Sequence, residues 1–410
     1  MSPSVNEKTQ VDEGQGGEHP AVTLFRDYLR IKSVHPEPDY NGCLALLKAQ
    51  ADKIGLAYHV VEVVQTKPAL IMSWPGSQPE LPAILLNSHT DVVPVYPEFW
   101  KHDPFEAVKE ANGDIYARGT QDMKSVGIQH LEAIRRLKER GIQLKRTVHL
   151  CFIADEEVGG HDGMAKYVLT SEFKKLNIGM ALDEGLASPD ESIPLYFGER
   201  NVFWVKFHCS GNPGHASRFI ENTAAEKVQY MVNKLLGYRE KQKQLFLADP
   251  EQHLGDVTTI NLTFMSGGVQ MNVVPNELCV GFDMRITPTT NIVEFQKMLE
   301  SWTEEAGGGI RMELVQKFTD QTMTSVSADD PWYQAFTRGV QAHGLKISPQ
   351  IFPAATDSRY LREVGIPALG FSPMNHTPVL LHDHNEFLNE KIFLKGIDIF
   401  EDIIREIASV

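Results

Sequence analysis

Apolar residues recur along the chain with two periods. Val22, Phe25 and Leu29 fall at helical spacing, and Val126, Leu131, Ile134 and Leu137 lie near one face of a helix over residues 125–140, where Gly141 predicts a C-terminal stop. Short apolar runs of strand length lie between them at 58–64 and 83–86, and after them at 147–153. Helix-like and strand-like segments alternate from His19 onward, which predicts an α/β layer on a largely buried sheet.

Near Glu199 the pattern changes. Strand-like residues 202–209, a helix over about 223–239, strands at 257–264 and 278–286, a helix over about 292–306 and a strand at 310–316 give the order βαββαβ, that of a ferredoxin-like split βαβ unit. Thr223 and Glu226 have capping-box spacing at the start of the first of these helices. After the polar stretch 319–330 the α/β pattern resumes, ending in a helix where Ile392, Ile399, Ile403 and Ile407 recur. Residues 199–318 are therefore read as a domain inserted into a first one made of 19–198 and 319–410. Residues 1–18 are polar and acidic, with no apolar stretch to act as a secretory signal, and are expected to form a disordered tail.

At 410 residues, 42% of them hydrophobic and 23% charged, the chain has room for two globular domains. No apolar run reaches the ~18 residues of a membrane span. Cys43, Cys151, Cys209 and Cys279 have no short paired spacing, so neither a disulfide framework nor a Cys-type zinc site is expected, and a reducing, cytoplasmic setting fits best. The formal net charge of -15 opposes binding to nucleic acid or anionic membrane, because phosphate contacts need clustered Lys and Arg. A small-molecule partner is expected instead.

Candidate chemistry gathers at segment ends. The 147–153 run leads into Asp155-Glu156-Glu157 and a glycine turn, and no Lys or Arg occurs from Thr147 to Ala165. Carboxylates crowded in this way rise in pKa or take up a cation. In His89-Thr90-Asp91 alternate side chains project together, giving either an imidazole ligand with a carboxylate that orients it or a polar turn. Alone, Asp122 reads as the N-terminal cap of the helix that follows, Glu184 as part of a surface turn, and His382 and His384 as part of a solvated loop. Together, acidic and His groups at five α/β segment ends have the character of a two-zinc hydrolytic site. Open α/β sheets place their sites at such ends. In the inserted domain Asp283 and Arg285 face away from Leu278, Val280, Phe282, Met284 and Ile286. Arg285 either grips a substrate carboxylate or pairs with Asp283. Cys151, inside an apolar strand, reads as structural.

Five blocks resemble the M20 family of metallopeptidases: Asn87-Ser88-His89-Thr90-Asp91-Val92-Val93-Pro94, Tyr116-Ala117-Arg118-Gly119 with Gln121-Asp122-Met123-Lys124, Asp155-Glu156-Glu157-Val158-Gly159-Gly160-His161, Pro213-Gly214-His215-Ala216-Ser217-Arg218-Phe219, and Pro353-Ala354-Ala355-Thr356-Asp357. Residues 368–374 add to the likeness, which runs from about His19 to the C-terminus and is closest to the family's amidohydrolases of N-acyl amino acids. The resemblance implies a zinc-exopeptidase-like catalytic domain with an inserted ferredoxin-like α+β dimerisation, or lid, domain. It implies two Zn2+ per subunit, one held by His89 and Glu184, the other by Glu157 and His382, with Asp122 bridging. Glu184 is taken over Asp183 because acyl-amino-acid and carboxypeptidase-like members carry Glu there. His382 is taken over His384 because His382-x-x-Asn385-Glu386 matches the family's pattern.

By the same resemblance Glu156 is the general base, Asp91 orients His89, Asn272 helps Arg285 bind the substrate carboxylate, and His215 stabilises the oxyanion. The reaction implied is hydrolysis of N-acyl-L-amino acids, with acetyl groups on neutral aliphatic residues, by a homodimer joined through the inserted domains, each supplying His215 to its partner's site. A dipeptidase or carboxypeptidase of the same fold is the alternative among enzymes. An inactive dimeric binding protein is the alternative of another class, and a missing base or ligand would mark it; every expected position is filled.

Overall fold

Successive side chains of a strand enter opposite layers, so a sheet covered on both faces needs apolar residues at every position. The central strands here meet that condition. The structure, a computed structural model, describes residues 17–410; residues 1–16, which hold most of the tail expected over 1–18, lie outside the described residues. The main sheet has eight strands in the order Ala57–Val64, Lys67–Trp74, Val148–Ile153, Ala83–His89, Ile178–Asp183, Ala368–Gly370, Ser192–Glu199 and Lys346–Phe352. The four strands from Val148–Ile153 to Ala368–Gly370 run parallel. An antiparallel hairpin closes one edge, and a parallel pair that meets Ala368–Gly370 in antiparallel fashion closes the other.

Leu70, Met72, Ile84, Leu86, Leu150, Phe152 and Leu182 enter one core. There they meet apolar faces of the helices Pro20–Leu29, Lys124–Glu139, Pro331–Gln341 and Glu390–Ile407. The alternate residues Ala69, Ile71, Leu85, Cys151, Ile153 and Ala181 enter a second core with Tyr167, Phe173 and Leu361. Each large apolar side chain buried in this way contributes roughly 1.5–3 kcal/mol. The α/β layer predicted from the sequence is the one observed. Ser192–Glu199 and Lys346–Phe352 escape a reading from sequence because Pro194 and Pro349 each remove a ladder donor and argue against a strand.

A separate core lies under a four-stranded antiparallel sheet, order Thr259–Gly267, Glu277–Ile286, Asn201–Ser210, Ile310–Lys317, packed against the helices Ala224–Ala248 and Ile292–Glu305. This is the ferredoxin-like βαββαβ arrangement. The first helix starts at the predicted capping box, where the Thr223 hydroxyl accepts from the Glu226 N–H and the Glu226 carboxylate accepts from the Thr223 N–H. It runs to Ala248 rather than ending near 239. No residue of the helix past Leu235 is fully buried, but Gly237 does not stop it, 240–248 contain neither Gly nor Pro, and the next breaker is Pro250. No helix among the described residues is long and apolar enough to cross a membrane.

Candidate metal centre

Three adjacent parallel strands, Val148–Ile153, Ala83–His89 and Ile178–Asp183, end side by side. Their C-terminal ends deliver the acidic turn 155–157, His89 and Glu184 to one place. Asp122 arrives on the segment before the Lys124–Glu139 helix, and His382 on the loop after the Ala368–Gly370 strand. Ligand atoms of His89, Asp122 and Glu184 all lie within 4.8 Å of one another, as do those of Asp122, Glu157 and His382. Asp122 belongs to both groups, with Oδ1 2.9 Å from His89 Nε2 and Oδ2 3.2 Å from His382 Nε2. His382 Nε2 also stands 3.0 Å from Glu157, and His89 Nε2 3.6 Å from Glu184.

The tautomer of His89 shows what this cluster needs. Its Nδ1 lies 2.9 Å from the Asp91 backbone carbonyl, which only accepts, so Nδ1 carries the hydrogen. Nε2 faces the Asp122 and Glu184 carboxylates, so either a second ring proton or a metal ion must supply positive charge between them. Glu157 Oε1 is buried without a hydrogen-bond partner. Imidazole and carboxylate are donors that zinc and related ions take, so the residues present fit a metal.

The acid–base balance carries the same strain. Burial, reinforced by Glu184, raises the Glu156 carboxyl well above the usual range. Burial and Asp122 raise Glu184 in the same way and hold Glu157 at about 7. Asp122 falls well below the usual range, because the His382 and His89 imidazoles more than offset its burial. His382 rises to about 10 despite burial, through Asp122 and Glu157, and His89 rises despite burial through Glu184 and Asp122. Carboxylates here outnumber the cations that could pair with them.

The third acid of the turn differs from its neighbours. Lys67 Nζ stands 2.5 Å from Asp155 Oδ1, and Asp155 Oδ2 accepts from the Asp162 N–H. The sequence around the turn shows no cation because this one comes from the adjoining strand, whose antiparallel register sets Ala69 opposite Ile153 and so brings its start beside the turn. Asp122 does not cap its helix: the N-cap residue is Met123, with no side-chain cap bond. Asp183 turns away to accept from Asn87 Nδ2 and Ser358 Oγ, leaving Glu184 in the cluster. His384 stacks near Tyr96 and Phe99 instead of joining it. The Asp91 carboxylate is 3.9 Å from His89 Nδ1, so its backbone carbonyl takes the place expected of its side chain.

The inserted residues lie outside the cluster. His215 is exposed on a short ribbon with Val273–Val274, its Nδ1 2.8 Å from Ser217 Oγ, and the Asn272 carbonyl accepts from the Ala216 N–H. The Arg285 guanidinium makes a two-point pair with Asp283, at 2.8 and 3.1 Å, so the surface-pair alternative is the arrangement present. Sequence reasoning missed Lys67, His35 and the Arg118–Glu386 pair. Arg118 and Glu386 stand within blocks noted for other residues, but 268 positions apart, so nothing local joins them.

Residues 85–406 match the family described as Peptidase family M20/M25/M40. The chain belongs to this family. M20 enzymes are metal-dependent hydrolases, and the two His, Asp and Glu clusters suit that chemistry. The chain is 53% identical over 393 residues to Aminoacylase-1 of Mus musculus, with 96% of each chain covered. It matches the M20 family metallo-carboxypeptidase Sso-CP2 from Sulfolobus solfataricus with a TM-score of 0.71 at 18% identity, over 95% of this chain and 100% of that one. The YXEP protein of Bacillus subtilis, described as a dinuclear metal binding peptidase of the M20 family, matches with a TM-score of 0.66 at 15% identity, over 93% of this chain and 96% of that one. The last two likenesses show the M20 fold.

Proposed function

We propose that the protein hydrolyses N-acyl-L-amino acids, acetyl derivatives of neutral aliphatic residues foremost, to a carboxylate and a free L-amino acid at a two-zinc centre. One observation carries this reading: two donor sets share Asp122 at the strand ends of a chain 53% identical, over nearly its whole length, to a protein named Aminoacylase-1. His89 and Glu184 would hold one ion and Glu157 and His382 the other, with Asp122 between them. When bound, the ions would polarise the amide carbonyl and lower the pKa of water. Glu156 belongs to neither donor set, and its raised affinity for protons suits it to take one from the attacking water and hand it to the leaving amine. His215 would donate to the oxyanion. Asn272 and Arg285 would hold the substrate carboxylate, with Arg285 exchanging Asp283 for it.

Residues 19–198 and 319–410 form the catalytic domain in this reading, and 199–318 the lid through which two copies pair. The separate cores support the division, and exposed Phe219, Val269 and Met271 beside His215 and Asn272 support a face that a second copy covers. Four free, buried cysteines support a cytoplasmic setting. The test compares N-acetyl-L-methionine with dipeptides on one purified sample. The acetyl amino acid should be the better substrate, chelation should abolish turnover, and zinc should restore it. Faster cleavage of dipeptides points to a peptidase of the same fold, and full activity in verified metal-free protein sinks the metal reading.

A further inference from the structure

One histidine near the centre belongs to neither donor set. His35 Nε2 lies 2.7 Å from Asp91 Oδ2, their side chains 10% and 0% exposed. An ionised carboxylate only accepts, so Nε2 carries the hydrogen and donates. The same carboxylate accepts from the Asp155 N–H at 3.0 Å through Oδ1 and from the Glu157 N–H at 3.2 Å through Oδ2. The Asp91 backbone carbonyl takes His89 Nδ1. Asp91 therefore fixes both the ring of His89 and the backbone of the turn that bears Glu156 and Glu157. That turn needs fixing, because Asp155 has a φ of 84°, which a non-glycine residue holds only when its surroundings enforce it.

His35 is itself held firmly. Val34 bridges Val92 in parallel fashion, the His35 N–H donates to the Val92 carbonyl at 3.2 Å, and the Val92 N–H donates to the Ser33 carbonyl at 2.9 Å. Just upstream, the buried Lys124 ammonium donates to the Tyr28 and Ile31 carbonyls at 3.1 and 2.8 Å. The backbone around His35 is thus tied to Asp91 and Val92, and to the helix that follows Asp122.

We infer that His35 is a positioning residue of the hydrolytic centre: its hydrogen bond holds the Asp91 carboxylate against the acidic turn, and so holds Glu156 and Glu157 in their places. The inference rests on the site being the hydrolytic metal centre described above. What the position requires is a donor that reaches Asp91, since the ring touches no reacting atom.

The test uses His35→Ala, His35→Asn and His35→Gln in full-length, zinc-loaded protein. Each is measured for kcat and KM on N-acetyl-L-methionine and for zinc affinity by competition with a chelator. The Ala variant should lose roughly 10- to 100-fold in kcat and in zinc affinity, the range for residues that support metal ligands, with KM changed less than about threefold. Asn carries a donor too short to reach Asp91, keeps a polar side chain where Ala leaves a void, and should lose as much. Gln reaches, and should recover most of the loss. Wild-type kcat and zinc affinity in the Ala or Asn variant, or a Gln variant no better than Asn, overturns the inference. Wild-type protein that turns over no N-acyl amino acid sinks the proposed reaction, and the zinc affinities still decide the role of His35.

Discussion

Glu156 and Glu157 are adjacent in sequence and differ in their surroundings. The Glu157 side chain is 3% exposed and stands 3.0 Å from His382, in a donor set with Asp122, whereas Glu156 belongs to no such set. Glu156→Gln should therefore keep its zinc and lose about 10²- to 10⁴-fold in kcat, the usual cost of removing a positioned base. Glu157→Gln should lower zinc affinity instead, read by metal content after dialysis against a weak chelator. The reverse pattern would exchange the two roles. The two clusters formed by His89, Asp122, Glu157, Glu184 and His382 were legible as candidates because His, Asp and Glu stand at the ends of apolar segments and in a His-rich loop. Lys67 and His35 were not, because their partners Asp155 and Asp91 lie 88 and 56 positions away, across a strand pairing that periodicity does not reveal.

At the scale of elements, the loop that presents Asp122 is wound around a single carboxylate. Glu386 Oε1 accepts from the Gln121 N–H at 2.6 Å and the Asp122 N–H at 3.3 Å, while Oε2 accepts from Arg118 at 2.7 Å and the Gly119 N–H at 3.2 Å. Arg118 is 2% exposed and Glu386 0%, so Glu386→Ala strands a buried guanidinium and should cost about 3–5 kcal/mol. Denaturant unfolding of the metal-free protein measures that loss, and a midpoint equal to wild type would show that the pair carries no stability. Zinc affinity should fall as well, because the backbone on either side of Asp122 loses its anchor. Five helices and the βαββαβ order were legible from apolar spacing, one helix also from its capping box, whereas the helices Tyr40–Ile54 and Pro331–Gln341 were not read. The proline-bearing strands Ser192–Glu199 and Lys346–Phe352 were not, and neither was the far end of the Ala224–Ala248 helix, where intrinsic propensity continues the helix without a buried face to announce it.

At the scale of the whole molecule, the proposed site is split between two units. The donor sets lie at the main sheet, but His215 is exposed on the ribbon of the inserted unit, its side chain bonded among the described residues to its neighbour Ser217. An oxyanion donor has to reach the metals from elsewhere, either by closure within one chain or from a second copy. The fully exposed Phe219, four residues after His215, favours a second copy, because an uncovered aromatic ring at that place is otherwise a poor surface residue. Co-expression of His215→Ala with Glu156→Ala separates the two routes. If His215 acts on the partner's site, a mixed dimer assembles one site with both groups intact and one with neither, so two inactive parents should yield up to about half of a normal dimer's activity. If it acts within its own chain, each chain carries its own defect and no activity returns. Differently tagged subunits allow the mixed dimer to be isolated, and a mixed dimer as inactive as its parents would rule out sharing across the interface.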